Sequence, residues 1–283
     1  MDMERIKAKI YTGWCWAGCG LSTAFWATIS ILGSLVSGSG RIQHFCMRRW
    51  SRDNLFLSRT RVEIEGLEHV DTSHPQLLVA NHSGFHDILS LAANLQIQFR
   101  WVAKKSLFKV PFMGWHMSRS GYIPIDRDNT REAARTILSA AKIIREGITA
   151  IAFPEGKRNP NGDLDAFESG AFALALRTGV PLVPVTLEGS HRVILPGTWQ
   201  VNPGVILRIK IDRPIDVSGY ARSEKRRLME DVRQMMSRNL AELRARRRPD
   251  EERADWVCRW IRKEGVRSQE SGVRRNTKDS ASE

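Results

Sequence analysis

Cysteine is scarce in this sequence, and what there is lacks the spacing of a metal or disulfide framework. The four cysteines are Cys15, Cys19, Cys46 and Cys258, with neither CxxC spacing nor clustering with histidine. This pattern argues against a zinc site and against a set of structural disulfides. The cysteine content is therefore typical of a chain that stays reduced inside the cell.

Three catalytic signatures are also absent. The sequence has no GxSxG elbow, so no serine nucleophile of that type is expected. Gly156-Lys157 lacks the upstream glycine of a Walker A loop and is followed by Arg158 rather than by Ser or Thr. The isolated Gly38-Ser39-Gly40 is no dinucleotide fingerprint, and we find no internal repeat. These absences disfavour a nucleotide-binding enzyme and a serine hydrolase.

Basic charge, in contrast, is abundant. The 283 residues include 44 Lys and Arg against 31 Asp and Glu, a formal net charge of +13, and 42% of them are hydrophobic, enough for one substantial core. This balance implies an anionic partner, which could be nucleic acid, a membrane surface or a phosphorylated substrate. Because the basic residues occur without base-stacking aromatic motifs, nucleic acid explains the charge poorly.

An apolar segment lies near the N-terminus. Residues 14–36 include no charged side chain, a stretch long enough to cross a bilayer and longer than a typical signal-peptide core. Basic clusters flank it on both sides, namely Arg5, Lys7 and Lys9 before it and Arg41, Arg48, Arg49 and Arg52 after it. Since positive charge prefers the cytoplasmic side, a single crossing would leave one cluster on the wrong side.

The flanking charge favours a monotopic anchor over a true span and leaves both open. One form of that anchor is a helical hairpin broken near Gly18-Cys19-Gly20, with its apolar faces in one leaflet. A buried core helix is the third possibility, and Trp14, Trp16 and Trp26 suit a membrane interface better.

Beyond the anchor, strands and helices alternate. The pattern predicts strands over 61–66, 76–81, 99–103, 121–125, 148–153, 182–187 and 205–212. It predicts helices over 129–146, with Asn129 as cap, Glu132 completing a capping box and Gly147 at the end, and over 223–243. We therefore predict an α/β fold, a single layered domain with a central mostly parallel or mixed sheet flanked by helices. The expected boundaries are an anchor at 1–52, the α/β domain at 53–245 and a basic, mobile tail at 246–283.

One polar turn concentrates titratable side chains. Asn81-His82-Ser83-Gly84-Phe85-His86-Asp87 follows the apolar run 77–80, so these groups stand where a buried strand ends. His82 and His86 could be metal ligands with Asp87, although the sequence is not HExxH and further ligands are not evident. In the other interpretation His82 is a general base held by Asp87, and His86 is a structural neighbour.

The same turn resembles the His-x4-Asp signature of the glycerolipid and lysophospholipid acyltransferase family, and further blocks follow in the family's order. They are Ala103–Leu107 with Pro111 and Gly114, then Gly121–Arg127, Phe153–Arg158 and Val180–Val185, so that the resemblance covers about residues 60 to 215. Two positions depart from the pattern. Lys157 replaces the usual threonine of the third block, and Glu168 stands where the family generally has lysine.

The resemblance implies a fatty acyl transfer from acyl-CoA or acyl-carrier protein to a lysophospholipid, with no cofactor and no metal. His82 would be the base and Asp87 its partner, and the substrate would contact Lys104, Arg127, Glu155, Gly156 and Arg158. A phosphomonoester carries about two negative charges, which arginine forks bind in pairs, and Glu155 would orient the cations.

The expected acceptor is the sn-2 hydroxyl of 1-acylglycerol-3-phosphate, and the expected location is the cytoplasmic face of the inner membrane. Three alternatives stay open: the same chemistry on another acceptor such as a lyso-aminolipid, a metal-dependent hydrolase, and a non-catalytic lipid-binding protein. Glu168 hints at the first of these, because a cationic contact to the phosphate would be missing.

Overall fold

The computed structural model of the chain describes residues 3–36, 38, 40–125, 130–249 and 251. The chain falls into two compact units, Met1–Ala245 and Arg246–Glu283. The first unit contains every strand and helix named below.

A seven-stranded sheet forms the centre of the first unit. Its strands are β1 (Arg61–Glu65), β2 (Leu77–Ala80), β3 (Phe99–Lys104), β4 (Ile123–Ile125), β5 (Thr149–Ala152), β6 (Leu182–Glu188) and β7 (Ile206–Ile211). Their spatial order is β1-β7-β6-β2-β5-β3-β4. All neighbouring pairs are parallel except β6 and β7, so the sheet is mixed, as predicted.

All seven predicted strands are confirmed, and most are shorter than expected by one or two residues at an end. The clearest shortening is in β4, which starts at Ile123 rather than at Gly121. Gly121 has φ 70°, and its N–H donates to the carbonyl of Ser118 at 3.2 Å, so it closes the preceding helix instead of extending a strand.

Helices cover both faces of the sheet. They are α1 (Met3–Val36), α2 (Arg41–Leu57), α3 (Phe85–Asn94), α4 (Met113–Arg119), α5 (Thr130–Arg145), α6 (Gly170–Thr178) and α7 (Lys225–Ala245). Because side chains alternate along a strand, Leu78 of β2 packs in one layer with Leu91 of α3, whereas Leu77 packs in the other with Leu228 of α7. The predicted layered α/β domain is therefore correct.

Two predicted helices coincide with α5 and α7. The expected end of the first is confirmed, because Gly147 has φ 91° and its N–H donates to the carbonyl of Ile144 at 3.0 Å. The expected cap at Asn129 and the side chain of Glu132 lie outside the described residues. In α7 the apolar side chains of Leu228, Val232, Met236, Leu240 and Leu243 are buried.

The predicted break in the N-terminal helix near residues 18–20 is wrong. Helix α1 runs without interruption from Met3 to Val36. A Cβ added at Gly18 would lie 2.9 Å from Cδ1 of Leu57, so this glycine permits close packing against the end of α2 rather than a turn. The chain reverses only after α1 ends, and Gly40 there has φ 72°.

One face of α1 is bonded to the rest of the first unit, and the other face is open. Four hydrogen bonds of 2.7 Å, spread along α1, attach the helix to the rest of the unit. Tyr11 Oη donates to Leu57 O, Trp16 Nε1 to Trp199 O and Trp26 Nε1 to Asp53 Oδ2. The fourth is shared by Ser30 Oγ and His116 Nδ1. Its exposed apolar side chains include Met3, Ile10, Trp14, Leu21, Phe25, Leu32 and Leu35. By length and composition, Ile6–Val36 is the one helix in the described part of the chain that could cross a membrane.

Candidate active site

The candidate site lies where parallel strands end. His82 follows β2, the turn Phe153–Arg158 follows the adjacent β5, and Lys104 is the last residue of β3, which pairs with β5. Carboxyl ends of parallel strands meet at one edge of a sheet, and open α/β sheets bind their ligands there. The topology therefore brings three of the blocks found in the sequence to one edge.

His82 and Asp87 form the hydrogen bond that the sequence predicts. Asp87 lies in the first turn of α3 and is fully buried, and its Oδ2 accepts from His82 Nδ1 at 2.9 Å. The same oxygen accepts the backbone N–H groups of Ser83 at 2.7 Å and Gly84 at 2.8 Å. Three donors therefore converge on one oxygen of Asp87 at the N-terminus of α3.

This bonding selects one tautomer of the His82 ring. Because the Asp87 carboxylate only accepts, the ring proton lies on Nδ1 and the lone pair lies on Nε2. In the described part of the chain Nε2 has no hydrogen-bond partner, and the side chain is 11% exposed. The geometry thus leaves Nε2 as the ring nitrogen available to a bound molecule.

Aromatic rings fix the orientation of the imidazole. The His82 ring stacks on Phe153 with centroids 4.1 Å apart and planes 16° from parallel. Phe153 in turn stacks on Trp101 of β3, with centroids 5.5 Å apart and an interplanar angle of 11°. The ring is therefore held by a hydrogen bond at Nδ1 and by packing on one face, which leaves Nε2 a defined direction.

Glu155 holds the backbone of His82 rather than a cation. Its Oε1 accepts the N–H of His82 at 2.8 Å, and its Oε2 accepts the N–H of Asp165 at 2.9 Å. The carbonyl of His82 accepts the N–H of Asn159 at 2.8 Å, so the turn after β5 grips both backbone groups of His82. Glu155 is only 4% exposed, and burial raises its pKa to about 7.

Three residues not singled out from the sequence tie the His82 turn to β6 and the segment after it. The side chain of Asn81 donates to Leu187 O at 2.9 Å and accepts from Leu187 N at 2.7 Å. Ser83 and Ser190 share a hydrogen bond of 2.9 Å between their hydroxyls. The only sequence signal for these contacts was a polar Asn directly after a buried strand, because the partners are more than 100 positions away.

The predicted cations lie at the same edge as far as the structure describes them. Lys104 and Arg158 are both exposed, and Asn159, next to Arg158, contacts the backbone of His82. Gly156 has φ 75°, a left-handed conformation that the tight turn after β5 requires. Arg127 lies outside the described residues, two positions after β4 ends.

The two positions that depart from the family pattern both lie at the turn after β5. Lys157 Nζ is 3.6 Å from Asp165 Oδ2, and Glu168 N donates to Pro154 O at 2.7 Å.

His86 belongs to the helix packing. It is fully buried, its Nε2 shares a 3.0 Å hydrogen bond with Ser58 Oγ, and burial lowers its pKa to about 4. Across the described residues, no group of three His, Cys, Asp or Glu side chains is placed to hold a metal ion. His86 thus occupies the position expected of a structural neighbour.

Comparisons with known proteins agree with these observations. A family model described as Acyltransferase matches residues 61–188. The chain is 36% identical over 168 residues to a 1-acyl-sn-glycerol-3-phosphate acyltransferase of Haemophilus influenzae, covering 59% of this chain and 69% of that one. It is 30% identical over 231 residues to the enzyme of that name from Saccharomyces cerevisiae, covering 80% and 74%.

The chain spans about half the length of some curated relatives, among them the chloroplastic 1-acyl-sn-glycerol-3-phosphate acyltransferase LPAT1 of Arabidopsis thaliana, with 32% identity over 62% of this chain and 49% of the relative. The fold is similar to the crystal structure of the 1-acyl-sn-glycerophosphate (LPA) acyltransferase PlsC from Thermotoga maritima. The TM-score is 0.76 at 24% identity, over 87% of this chain and 100% of that one. On its sequence blocks, its fold and these matches, the chain belongs to the acyltransferase family.

Proposed function

We propose that this protein transfers a fatty acyl chain from a thioester to the sn-2 hydroxyl of 1-acylglycerol-3-phosphate, giving phosphatidate. The observation that carries the proposal is the His82 imidazole, bonded to buried Asp87 through Nδ1 at 2.9 Å and without a described partner at Nε2. The names of the relatives support the acceptor, since several are 1-acyl-sn-glycerol-3-phosphate acyltransferases.

The chemistry needs no covalent enzyme intermediate. His82 Nε2 takes the proton of the acceptor hydroxyl while that oxygen attacks the thioester carbonyl carbon, and the carbonyl electron pair moves onto its oxygen. When the tetrahedral intermediate collapses, the carbon–sulfur bond breaks, and the thiolate takes the proton from Nε2. Asp87 remains ionised and stabilises the imidazolium between the two steps.

The cations at the strand ends would bind the acceptor's phosphate. Arg158 and Lys104 are exposed at the carboxyl edge, and Arg127 completes the set that we assign to this role from the sequence. Gly156 would let the turn approach the substrate, whereas the buried Glu155 would act through the backbone of His82. The donor is acyl-CoA or acyl-carrier protein, and both are anionic.

We further propose a monotopic association with the cytoplasmic face of the inner membrane. Helix α1 is bonded to the first unit from Tyr11 to Ser30, so a transverse crossing would carry the attached domain into the hydrocarbon. Lying in one leaflet, α1 would bury its exposed apolar face and keep both flanking basic clusters at the headgroups. Lipid acceptor and lipid product would then reach the site from the bilayer.

The deciding experiment measures thiol release from acyl-CoA in the presence of 1-acylglycerol-3-phosphate. We expect turnover by the wild type and a loss of about 10² to 10⁴-fold in His82→Ala, because general-base help is worth that much. The matched control is His74→Ala, which removes an exposed His–Asp pair, His74 Nδ1 to Asp71 Oδ2 at 2.8 Å, ahead of β2. Turnover that survives in His82→Ala, or its absence in the wild type, would refute the proposal.

A second candidate is the same transfer to a lyso-aminolipid. It is favoured by Glu168, a carboxylate whose backbone contacts the turn after β5 where the family generally has lysine. A panel of acceptors with and without a phosphomonoester, tested on the purified protein, separates the two candidates.

A further inference from the structure

The outer face of α2 forms a cationic cavity that the proposed reaction does not use. Its volume is about 500 Å³, and it is lined by Arg41, His44, Phe45, Arg48, Arg49, Arg52 and Gln98. These α2 residues follow one helical face, and no Asp or Glu is among the lining residues. We call this cavity the arginine pocket.

The arginine pocket follows the first turns of α2, from Arg41 to Arg52, and the catalytic turn lies beyond the last turn of that helix. Gln98, in its wall, immediately precedes β3 and so lies at the amino edge of the sheet. At the far end of α2, Ser58 contacts His86 in the first turn of α3, beside the site. Along the helix axis Ser58 lies about 9 Å beyond Arg52 and about 25 Å beyond Arg41, at 1.5 Å per residue. No lining residue of the pocket belongs to the candidate active site.

The pocket borders the open apolar face of α1. Phe45 is 53% exposed, and its ring meets Trp26 of α1 edge to face with centroids 6.1 Å apart. The guanidinium of Arg49 lies 5.6 Å from the centre of the Phe45 ring. Phe25, which is also exposed on α1, packs against Trp26 with the two ring centroids 5.0 Å apart. Arginines thus line the margin of an apolar surface, as at the boundary between lipid tails and headgroups.

Two arginines of the pocket, Arg48 and Arg52, place like charges close together. Arg48 and Arg52 are one helical turn apart, and burial together with the Arg52 charge lowers the pKa of Arg48. No carboxylate is among the lining residues, so nothing in the pocket wall repels an anion that binds there. Guanidinium forks suit phosphate oxygens in pairs, which a single ammonium cannot match.

We infer that the arginine pocket binds the phosphate headgroup of an anionic phospholipid in the leaflet that holds α1. The occupant is a bilayer lipid rather than a free ion, because the pocket opens beside the apolar surface where the acyl chains of such a lipid would lie. This inference rests on the membrane association proposed above, but not on the transfer reaction.

Vesicle sedimentation of the full chain tests the inference. The vesicles contain phosphatidylcholine alone or phosphatidylcholine mixed with phosphatidylglycerol. Arg48→Gln/Arg52→Gln should weaken binding to the anionic vesicles about 30-fold, since each cation near an anionic surface contributes about fivefold. The matched control, Arg226→Gln/Arg238→Gln, removes the same charge from exposed positions of α7 on the opposite face of the sheet. An equal loss in both pairs would overturn the inference.

A charge-conserving pair separates a built pocket from diffuse attraction. Arg48→Lys/Arg52→Lys keeps both charges but loses the forks, so we expect about a tenfold loss on anionic vesicles and no change on phosphatidylcholine alone. If Arg48→Lys/Arg52→Lys binds anionic vesicles as well as the wild type, the inference is overturned. It is also overturned if Arg48→Gln/Arg52→Gln binds vesicles normally but no longer binds acyl-carrier protein. Circular dichroism verifies that each variant is folded. Thiol release by the wild type is scored separately, so vesicle binding without turnover would count against the proposed function alone.

Discussion

At the scale of single residues, the negative charge of Asp87 supports His82 as a base. In Asp87→Asn the amide oxygen can take the place of Oδ2 and accept the same three donors from His82, Ser83 and Gly84, which puts the NH₂ group at the buried position of Oδ1. The neutral amide can no longer stabilise the imidazolium that forms when His82 takes the proton of the acceptor. We expect turnover to fall by about 10² to 10⁴-fold, the range that general-base help supplies.

The measurement is steady-state thiol release, with Asp71→Asn as control because Asp71 holds the exposed His74 in a similar pair. Circular dichroism confirms that Asp87→Asn remains folded. A decrease of less than about tenfold would show that the charge of Asp87 does not support the base.

Glu155 makes the stability of the fold depend on pH. Burial raises its pKa from 4.5 to about 7, so between these values the folded protein holds a proton that the unfolded chain releases. The stability from this group is complete below pH 4.5 and is lost as the pH rises through 7. For a shift of this size the loss is on the order of 3 kcal/mol.

Glu155→Gln cannot titrate, and it isolates this contribution. Burial lowers the pKa values of His86 and His116 to about 4, so these two groups make the free energy of unfolding rise with pH, opposite to the effect of Glu155. Their effect is the same in wild type and variant and cancels in the difference between the two. We expect the free energy of unfolding of the wild type, measured in urea from pH 5 to 8, to fall relative to the variant as the pH rises. A difference that is constant over this range would contradict the assignment.

At the scale of elements, the turn between β2 and α3 is positioned by close packing on the segment after β6. Gly84 is extended, so backbone strain does not require glycine there, but an added Cβ would lie 2.6 Å from the carbonyl oxygen of Ser190. Gly84→Ala must therefore move the turn that carries His82. We expect a loss of about 1 to 3 kcal/mol of stability and a larger fractional loss of turnover.

Gly170→Ala is the matched control for this prediction. Gly170 begins α6, and a Cβ added there meets nothing within 4 Å, so the same substitution should be neutral or slightly stabilising. Urea unfolding of both variants gives the comparison. If Gly84→Ala unfolds at the wild-type midpoint with wild-type turnover, the packing does not position the turn.

The elements that depend on local pattern were predictable, and those that depend on tertiary contact were not. The alternation of apolar runs predicted all seven strands, and the end of α5 followed from Gly147. The expected break at residues 18–20 failed because glycine in a helix has two physical uses. It can end the helix, or, as at Gly18 against Leu57, it can let a neighbour approach closely, and only the folded chain distinguishes them.

At the scale of the whole molecule, the same division applies to the candidate site. His82 and Asp87 are five positions apart, so their pairing could be predicted from spacing. Glu155 contacts the His82 backbone from 73 positions away, and Ser190 contacts Ser83 from 107, so sheet topology alone brings them together. The net charge of +13 predicted an anionic partner but not that the basic groups divide between the strand ends and the arginine pocket.

The open face of α1 gives the molecule a direction relative to a membrane, and one substitution tests it. Leu21 is 74% exposed on α1, and moving such a side chain into lipid gains about 1.5 to 3 kcal/mol. Leu21→Ser should therefore weaken binding to phosphatidylcholine vesicles by about 10- to 100-fold, without lowering the midpoint of unfolding in urea.

The control is Leu138→Ser, because Leu138 is 50% exposed on α5, which covers the opposite face of the sheet. The Leu138→Ser protein should still bind phosphatidylcholine vesicles at high salt, because salt screens charges but not apolar contacts. Equal effects of the two substitutions would mean that α1 does not face the lipid, and the site would then have to receive its acceptor from solution.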